Sequence, residues 1–154
     1  MALNDLLKPE AVLPNVRATS KKQTLQAMAE RAAALTGIAE REIFDTIQQR
    51  ERLGSTGVGN GIAIPHGKLK SINHLVGVFA RLEHGIDFEA IDDEKVDLVF
   101  LLLAPESAGA DHLKALSKVA RALRSQDVVD KIRGTTDAHA IYDMLCPQEN
   151  SFAA

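Results

Sequence analysis

Residues Gly54 to Gly67 read GSTGVGNGIAIPHG, and Lys68 follows. Five of the ten glycines fall in these fourteen residues. A glycine-rich run ahead of a basic side chain is the composition of a phosphate loop, in which backbone N–H groups cradle an anion. Spacing excludes the nucleotide-binding forms. A G-x-x-x-x-G-K loop ending at Gly67-Lys68 needs glycine at position 62 and a hydroxyl residue at 69, where the chain has Ile62 and Leu69. A G-x-G-x-x-G fingerprint begun at Gly57 and Gly59 also fails at Ile62.

The imidazole of His66 is the other reactive group in this stretch. The chain has five histidines, His66, His74, His84, His112 and His139. No two stand at the i+2, i+3 or i+4 spacing of a metal site, and one cysteine, Cys146, builds no thiolate cage, so no metal is expected. His74, His84 and His139 read as solvated surface. His66 follows Pro65 at the end of a short apolar segment, which puts its ring at a strand end, where α/β folds place reactive groups. A histidine with an ordinary pKa of about 6.5 is mostly neutral at pH 7, and its lone pair attacks phosphorus when the other N–H is held by a carbonyl or carboxylate. A structural turn accounts for the same residues equally well. His112 is open in the same way, as a polar residue in the first turn of a helix.

The elements that must position these groups are legible in outline. Ser20-Lys21-Lys22-Gln23 is a capping-box pattern, and Leu25, Met28, Ala29, Ala32 and Ala33 continue as one buried helical face that Gly37 ends. Leu13 to Thr19 before it reads as a short strand. A second helix is expected from about Ala39 to Arg52, with Ile43, Phe44 and Ile47 inward and Gly54 closing it. Gly54 to Gly67 reads as a loop around a very short strand at Ile62 to Ile64. Leu75 to Leu82 and Val96 to Leu103 read as strands, the second apolar enough to be covered on both faces. Leu113, Leu116, Ala120 and Leu123 mark a helix after Pro105, and shorter helices are expected at Asp127 to Arg133 and Asp137 to Leu145. The order β, α, α, β, β, β, α, α, α describes one α/β domain.

Composition narrows the function classes. The 154 residues are 45% hydrophobic and 25% charged, an ordinary globular balance. A chain this long buries about 70% of its unfolded surface and needs no disulfide. Twenty-one acidic against 18 basic residues give a net charge of -3, without the basic footprint of a nucleic-acid binder. With no tryptophan and 4% aromatics, stacking platforms are poorly supplied. The N-terminal MALNDLLKPE lacks a targeting pattern and the longest apolar run, Leu98 to Ala104, is seven residues, so membrane insertion is not expected. A reducing compartment, most simply the cytoplasm, suits the single cysteine.

The segment RERLGSTGVGNGIAIPHGK, Arg50 to Lys68, closely resembles the active-site segment of the nitrogen-regulatory enzyme IIA proteins (IIANtr) of the bacterial phosphotransferase system, within the fructose/mannitol IIA superfamily. The likeness continues through GVFARLEHGIDFEAIDDEKVDLVFLLLAPES, Gly77 to Ser107, and HLKALSKVARAL, His112 to Leu123, and spans nearly the whole chain. It implies a single EIIA type-2 domain over 1–154, an α/β fold with a mixed central sheet and helices on both faces.

The resemblance also implies roles. His66 would accept a phosphoryl group on Nε2 from a phosphorylated HPr-like carrier, called NPr in the nitrogen-related branch. His112 would lie beside it and hydrogen-bond the phosphoryl group, and Arg50 would bind phosphoryl oxygens during transfer. Ser55, Thr56 and Gly67 fall in the family's site loop, and Arg52 has no assigned role. No cofactor is implied, because a phosphohistidine donor, unlike ATP, brings no need for magnesium at this subunit. Regulatory targets such as potassium-transport regulators or sensor kinases would read the phosphorylation state. Without the resemblance, Arg50 is a solvated charge at a helix end. A sugar-transport IIA passing phosphoryl to a IIB domain, and a non-covalent anion-binding module, are the alternatives.

Overall fold

The computed structural model describes residues 2–147. Strand β1 (Val12–Val16) leads into helices α1 (Lys21–Thr36) and α2 (Glu40–Leu53). Strands β2 (Gly57–Gly59), β3 (Ile62–Ala63), β4 (His66–Leu69), β5 (Val76–Ile86) and β6 (Val96–Pro105) follow, then α3 (Ala110–Ala122), α4 (Gln126–Arg133) and α5 (Ala138–Leu145). One six-stranded sheet runs β1-β5-β6-β3-β2, with β4 also paired to β6. It is mixed: β5 and β6 are antiparallel, and β1 on β5 and β3 and β4 on β6 are parallel.

β6 is the centre of the core. Alternate residues of a strand face opposite sides of the sheet, and here both sets are buried, which requires cover on both faces. α1 packs on β5, α2 on β4, α3 on β6 and α5 on β1. Phe79 and Phe100 face each other across the β5–β6 ladder with ring centroids 6.2 Å apart. α1 starts as expected, with the Ser20 side chain accepting the Gln23 N–H. The Gln23 side chain reaches one residue further back than a capping box, to the Thr19 N–H at 2.8 Å.

The glycine-rich stretch departs from the expectation of a loop around one short strand. Gly57–Gly59 and His66–Leu69 are strands as well. Asn60 and Gly61 both have positive φ, 58° and 81°, as a two-residue type I′ hairpin turn requires, and they join β2 to β3. β3 and β4 form one interrupted line along β6, with Ala63 opposite Val99 and His66 opposite Leu102. Pro65 has no N–H to give and breaks the ladder, while its carbonyl accepts the Leu102 N–H at 2.9 Å. Pairing to β6 therefore overrides weak strand propensity. β1 stops at Val16 rather than Thr19, and β5 continues to Ile86. Of the expected α3 stripe, Leu123 is buried and Leu116 and Ala120 pack against the core, but Leu113 is exposed and His112, Ala115 and Val119 are buried beside them.

Candidate active site

His66 opens β4 immediately after the Pro65 break, half-buried. Its Nδ1 lies 2.9 Å from the Ile64 carbonyl oxygen. A carbonyl only accepts, so Nδ1 carries the proton and the lone pair of the neutral ring is on Nε2. The neighbouring Gly67 lets α2 approach β4 closely, since a Cβ there would stand 2.8 Å from Thr46 Cγ2.

The first turn of α3 brings His112 against this ring. The centroids are 5.6 Å apart and the planes meet at 70°, edge to face. His112 is 8% exposed and its Nε2 has no hydrogen-bond partner among the described residues. Burial pushes its pKa below the ordinary 6.5, and electrostatic coupling to the neighbouring His66 and Lys68 adds to the push. The ring is therefore held neutral.

Arg50 stands in the last turn of α2, where its Nη1 donates to the Gly54 carbonyl at 3.0 Å. That bond keeps the guanidinium over the start of the loop leading to β2. Both loop hydroxyls are engaged within the protein. Ser55 Oγ donates to the Phe88 carbonyl at 2.6 Å and accepts the Gly57 N–H at 3.0 Å. The Thr56 hydroxyl donates to Glu51 Oε2, and its N–H donates to Glu51 Oε1 at 3.1 Å.

The structure thus joins His66 to His112 directly and ties Arg50 to the loop holding Ser55 and Thr56. His74, His84 and His139 are exposed, in keeping with a surface role. Sequence reasoning missed the Ile64 carbonyl and Glu51. Leu53, Val58 and Leu113 are large apolar side chains 84%, 56% and 70% exposed, on α2, β2 and α3, and Leu113 adjoins His112 in the chain. No helix among the described residues is long and apolar enough to cross a membrane.

The sequence profile of the family described as "Phosphoenolpyruvate-dependent sugar phosphotransferase system, EIIA 2" matches residues 5–146. A nitrogen regulatory protein of Bradyrhizobium diazoefficiens is 57% identical over 145 residues, covering 94% of this chain and 95% of that protein. One from Escherichia coli is 38% identical over 152 residues, covering 98% and 93%. The crystal structure of nitrogen regulatory protein IIA-Ntr from Neisseria meningitidis superposes with a TM-score of 0.88 at 29% identity, covering 93% of this chain and 98% of that one.

Proposed function

The chain belongs to the type-2 EIIA family of the phosphoenolpyruvate-dependent sugar phosphotransferase system, on its nitrogen-regulatory branch, and we propose that it is a phosphohistidine carrier with His66 as nucleophile. The observation that carries this reading is the 2.9 Å contact of His66 Nδ1 with the Ile64 carbonyl, which leaves the Nε2 lone pair available. Nε2 attacks the phosphorus of a phosphorylated HPr-like carrier, NPr in this branch. The P–N bond to the carrier's histidine breaks, and its electron pair returns to that imidazole. The His66 ring, now substituted at both nitrogens, gains positive charge that the Ile64 carbonyl dipole stabilises.

Such a transfer passes through a loose transition state, so the protein chiefly aligns the groups and balances charge on the equatorial oxygens. Arg50 supplies a permanent cation with a planar fork of donors. His112, neutral and with Nε2 unpartnered, supplies one hydrogen bond to a phosphoryl oxygen without adding charge. The exposed Leu113, next to His112 in the first turn of α3, supports a protein donor over a small molecule, because it offers apolar contact beside that ring.

A phosphoryl group adds about -1.5 to -2 charge as an ordinary ester. In this reading a comparable charge on His66 changes affinity for regulatory targets of the kind named above, in the cytoplasm, and residues 1–154 act as one domain. The test is intact-protein mass after incubation with enzyme I, the HPr-like carrier and phosphoenolpyruvate. The wild type should gain one acid-labile phosphoryl group and His66→Ala none. Equal labelling of His66→Ala removes His66 as the nucleophile, and no labelling with any carrier removes the carrier function.

A further inference from the structure

Glu51 is a buried carboxylate for which the phosphoryl chemistry above has no use. Its side chain is 4% exposed and pairs with Lys21, whose Nζ lies 2.8 Å from Oε1. Burial of a carboxylate is costly unless it is paired and hydrogen-bonded, and a loop of this length is readily closed by a neutral cap instead. What the carboxylate holds is Thr56, by both its N–H and its hydroxyl. From Thr56 the contacts continue to the nucleophile. The Thr56 carbonyl accepts the Ile64 N–H at 3.0 Å, and the Ile64 carbonyl accepts His66 Nδ1–H at 2.9 Å.

Glu51 also bears on Arg50, the preceding residue in the last turn of α2. Arg50 donates to Gly54, two residues before the threonine that Glu51 fixes. The far side of the loop is secured separately through Ser55 and Phe88, and Lys21 lies 4.7 Å from the centroid of the Phe88 ring. Lys21 on α1 thus braces the Glu51 anchor and adjoins the Ser55 anchor.

The geometry points to Glu51 as a positioning residue of the phosphoryl site: clamped by Lys21, it fixes Thr56 and through Ile64 holds His66 in its Nδ1–H tautomer. The consequence for rate rests on the reading of His66 as nucleophile. The consequence for the tautomer does not.

The experiment compares wild type, Glu51→Gln, Thr56→Val and Thr56→Ser by two readouts. One is the imidazole 15N chemical shifts of His66 in histidine-labelled protein at alkaline pH, which report the tautomer. The other is kcat and KM for phosphoryl transfer from the phosphorylated carrier. Glu51→Gln and Thr56→Val should move the His66 shifts toward averaged tautomers and lower kcat about 10–100-fold, as for loss of groups that orient a reactive imidazole, with KM within about twofold. Thr56→Ser keeps the hydroxyl and should match wild type in both readouts. Wild-type shifts in Glu51→Gln and Thr56→Val overturn the proposal, as does Thr56→Ser failing as badly as Thr56→Val. If Glu51→Gln does not fold, Thr56→Val and Lys21→Met decide by the same criteria. If the wild type accepts no phosphoryl group, the carrier reading fails, while the shifts still decide whether Glu51 positions the ring.

Discussion

Gly67→Ala tests whether the separation of β4 and α2 sets the position of His66. The added Cβ would stand 2.8 Å from Thr46 Cγ2, about 0.6 Å inside the 3.4 Å at which ordinary contact begins. Thr46 cannot rotate away freely, because its Oγ1 donates to the Glu42 carbonyl at 2.9 Å. Overpacking of this kind costs about 1–3 kcal/mol. Alanine also restricts the unfolded chain, which returns about 0.4–1 kcal/mol. The net loss should be about 1–2 kcal/mol, a fall in Tm of about 2–8 °C for a domain of this size. His66 precedes the crowded residue, and a displacement near 1 Å costs up to about 100-fold in transfer rate. Thr46→Ser removes Cγ2 and keeps the hydroxyl, so in the double variant the clash is relieved. Urea unfolding and phosphoryl-transfer rates of the four proteins form a double-mutant cycle. A favourable coupling of about 1 kcal/mol with recovery of rate is expected; coupling below about 0.5 kcal/mol would refute the contact as the cause.

Three other expectations follow from the contacts. The lowered pKa of His112 means that the unfolded chain takes up a proton which the buried ring resists, so stability should fall as pH drops through 6.5 toward the depressed folded value and be flat on this account above it. Urea titrations across that range should show the slope in wild type and its loss in His112→Phe; a slope kept in the variant assigns it elsewhere. Arg50→Ala should slow transfer by about 100–1,000-fold if the guanidinium stabilises the transition state, with Tm little changed; a collapse of Tm would make Arg50 structural. Arg133 binds Asp97 through Nε and Nη2 at 2.9 Å each and donates to the Asn60 carbonyl at 2.8 Å, tying α4 to the sheet. Arg133→Ala should cost about 1–2 kcal/mol by thermal unfolding, and an unchanged Tm would count against that tie.

Helices and long strands were legible because each carries a periodic apolar pattern and a physical stop. Ser20 does cap α1, Ile43 and Ile47 are buried, and β6 is covered on both faces, as its unbroken apolar run implies. The short strands β2 and β4 were not legible. Glycine, histidine and lysine have no strand pattern of their own, and those residues become strands because β3 and β6 offer them partners. One signal was available and unused: Asn60-Gly61 between short segments is a hairpin turn by backbone geometry alone. At the candidate site, residue types and resemblance selected His66, His112 and Arg50. The Ile64 carbonyl was invisible because a backbone acceptor has no sequence letter. Glu51 was overlooked because a glutamate in the last turn of a polar helix ordinarily faces solvent, and its burial and its contacts with Thr56 and Lys21 show that it turns inward.

His66 and His112 begin with the same chemistry and differ only in what surrounds them. At His66 a backbone carbonyl fixes the proton on Nδ1. That carbonyl belongs to the residue just before Pro65, so the proline that interrupts the ladder also leaves the Ile64 oxygen turned to the ring. At His112 burial keeps the ring uncharged and leaves Nε2 without a partner. A protonated second histidine would draw an incoming phosphoryl group more strongly, and it would also hold the product more tightly. A carrier must give up what it takes, so similar affinity for the group in both directions matters more than tight capture. In the proposed carrier reading, a neutral hydrogen-bond donor beside the carbonyl-anchored His66 fits that requirement, with the permanent charge left to Arg50, half-exposed at the end of α2.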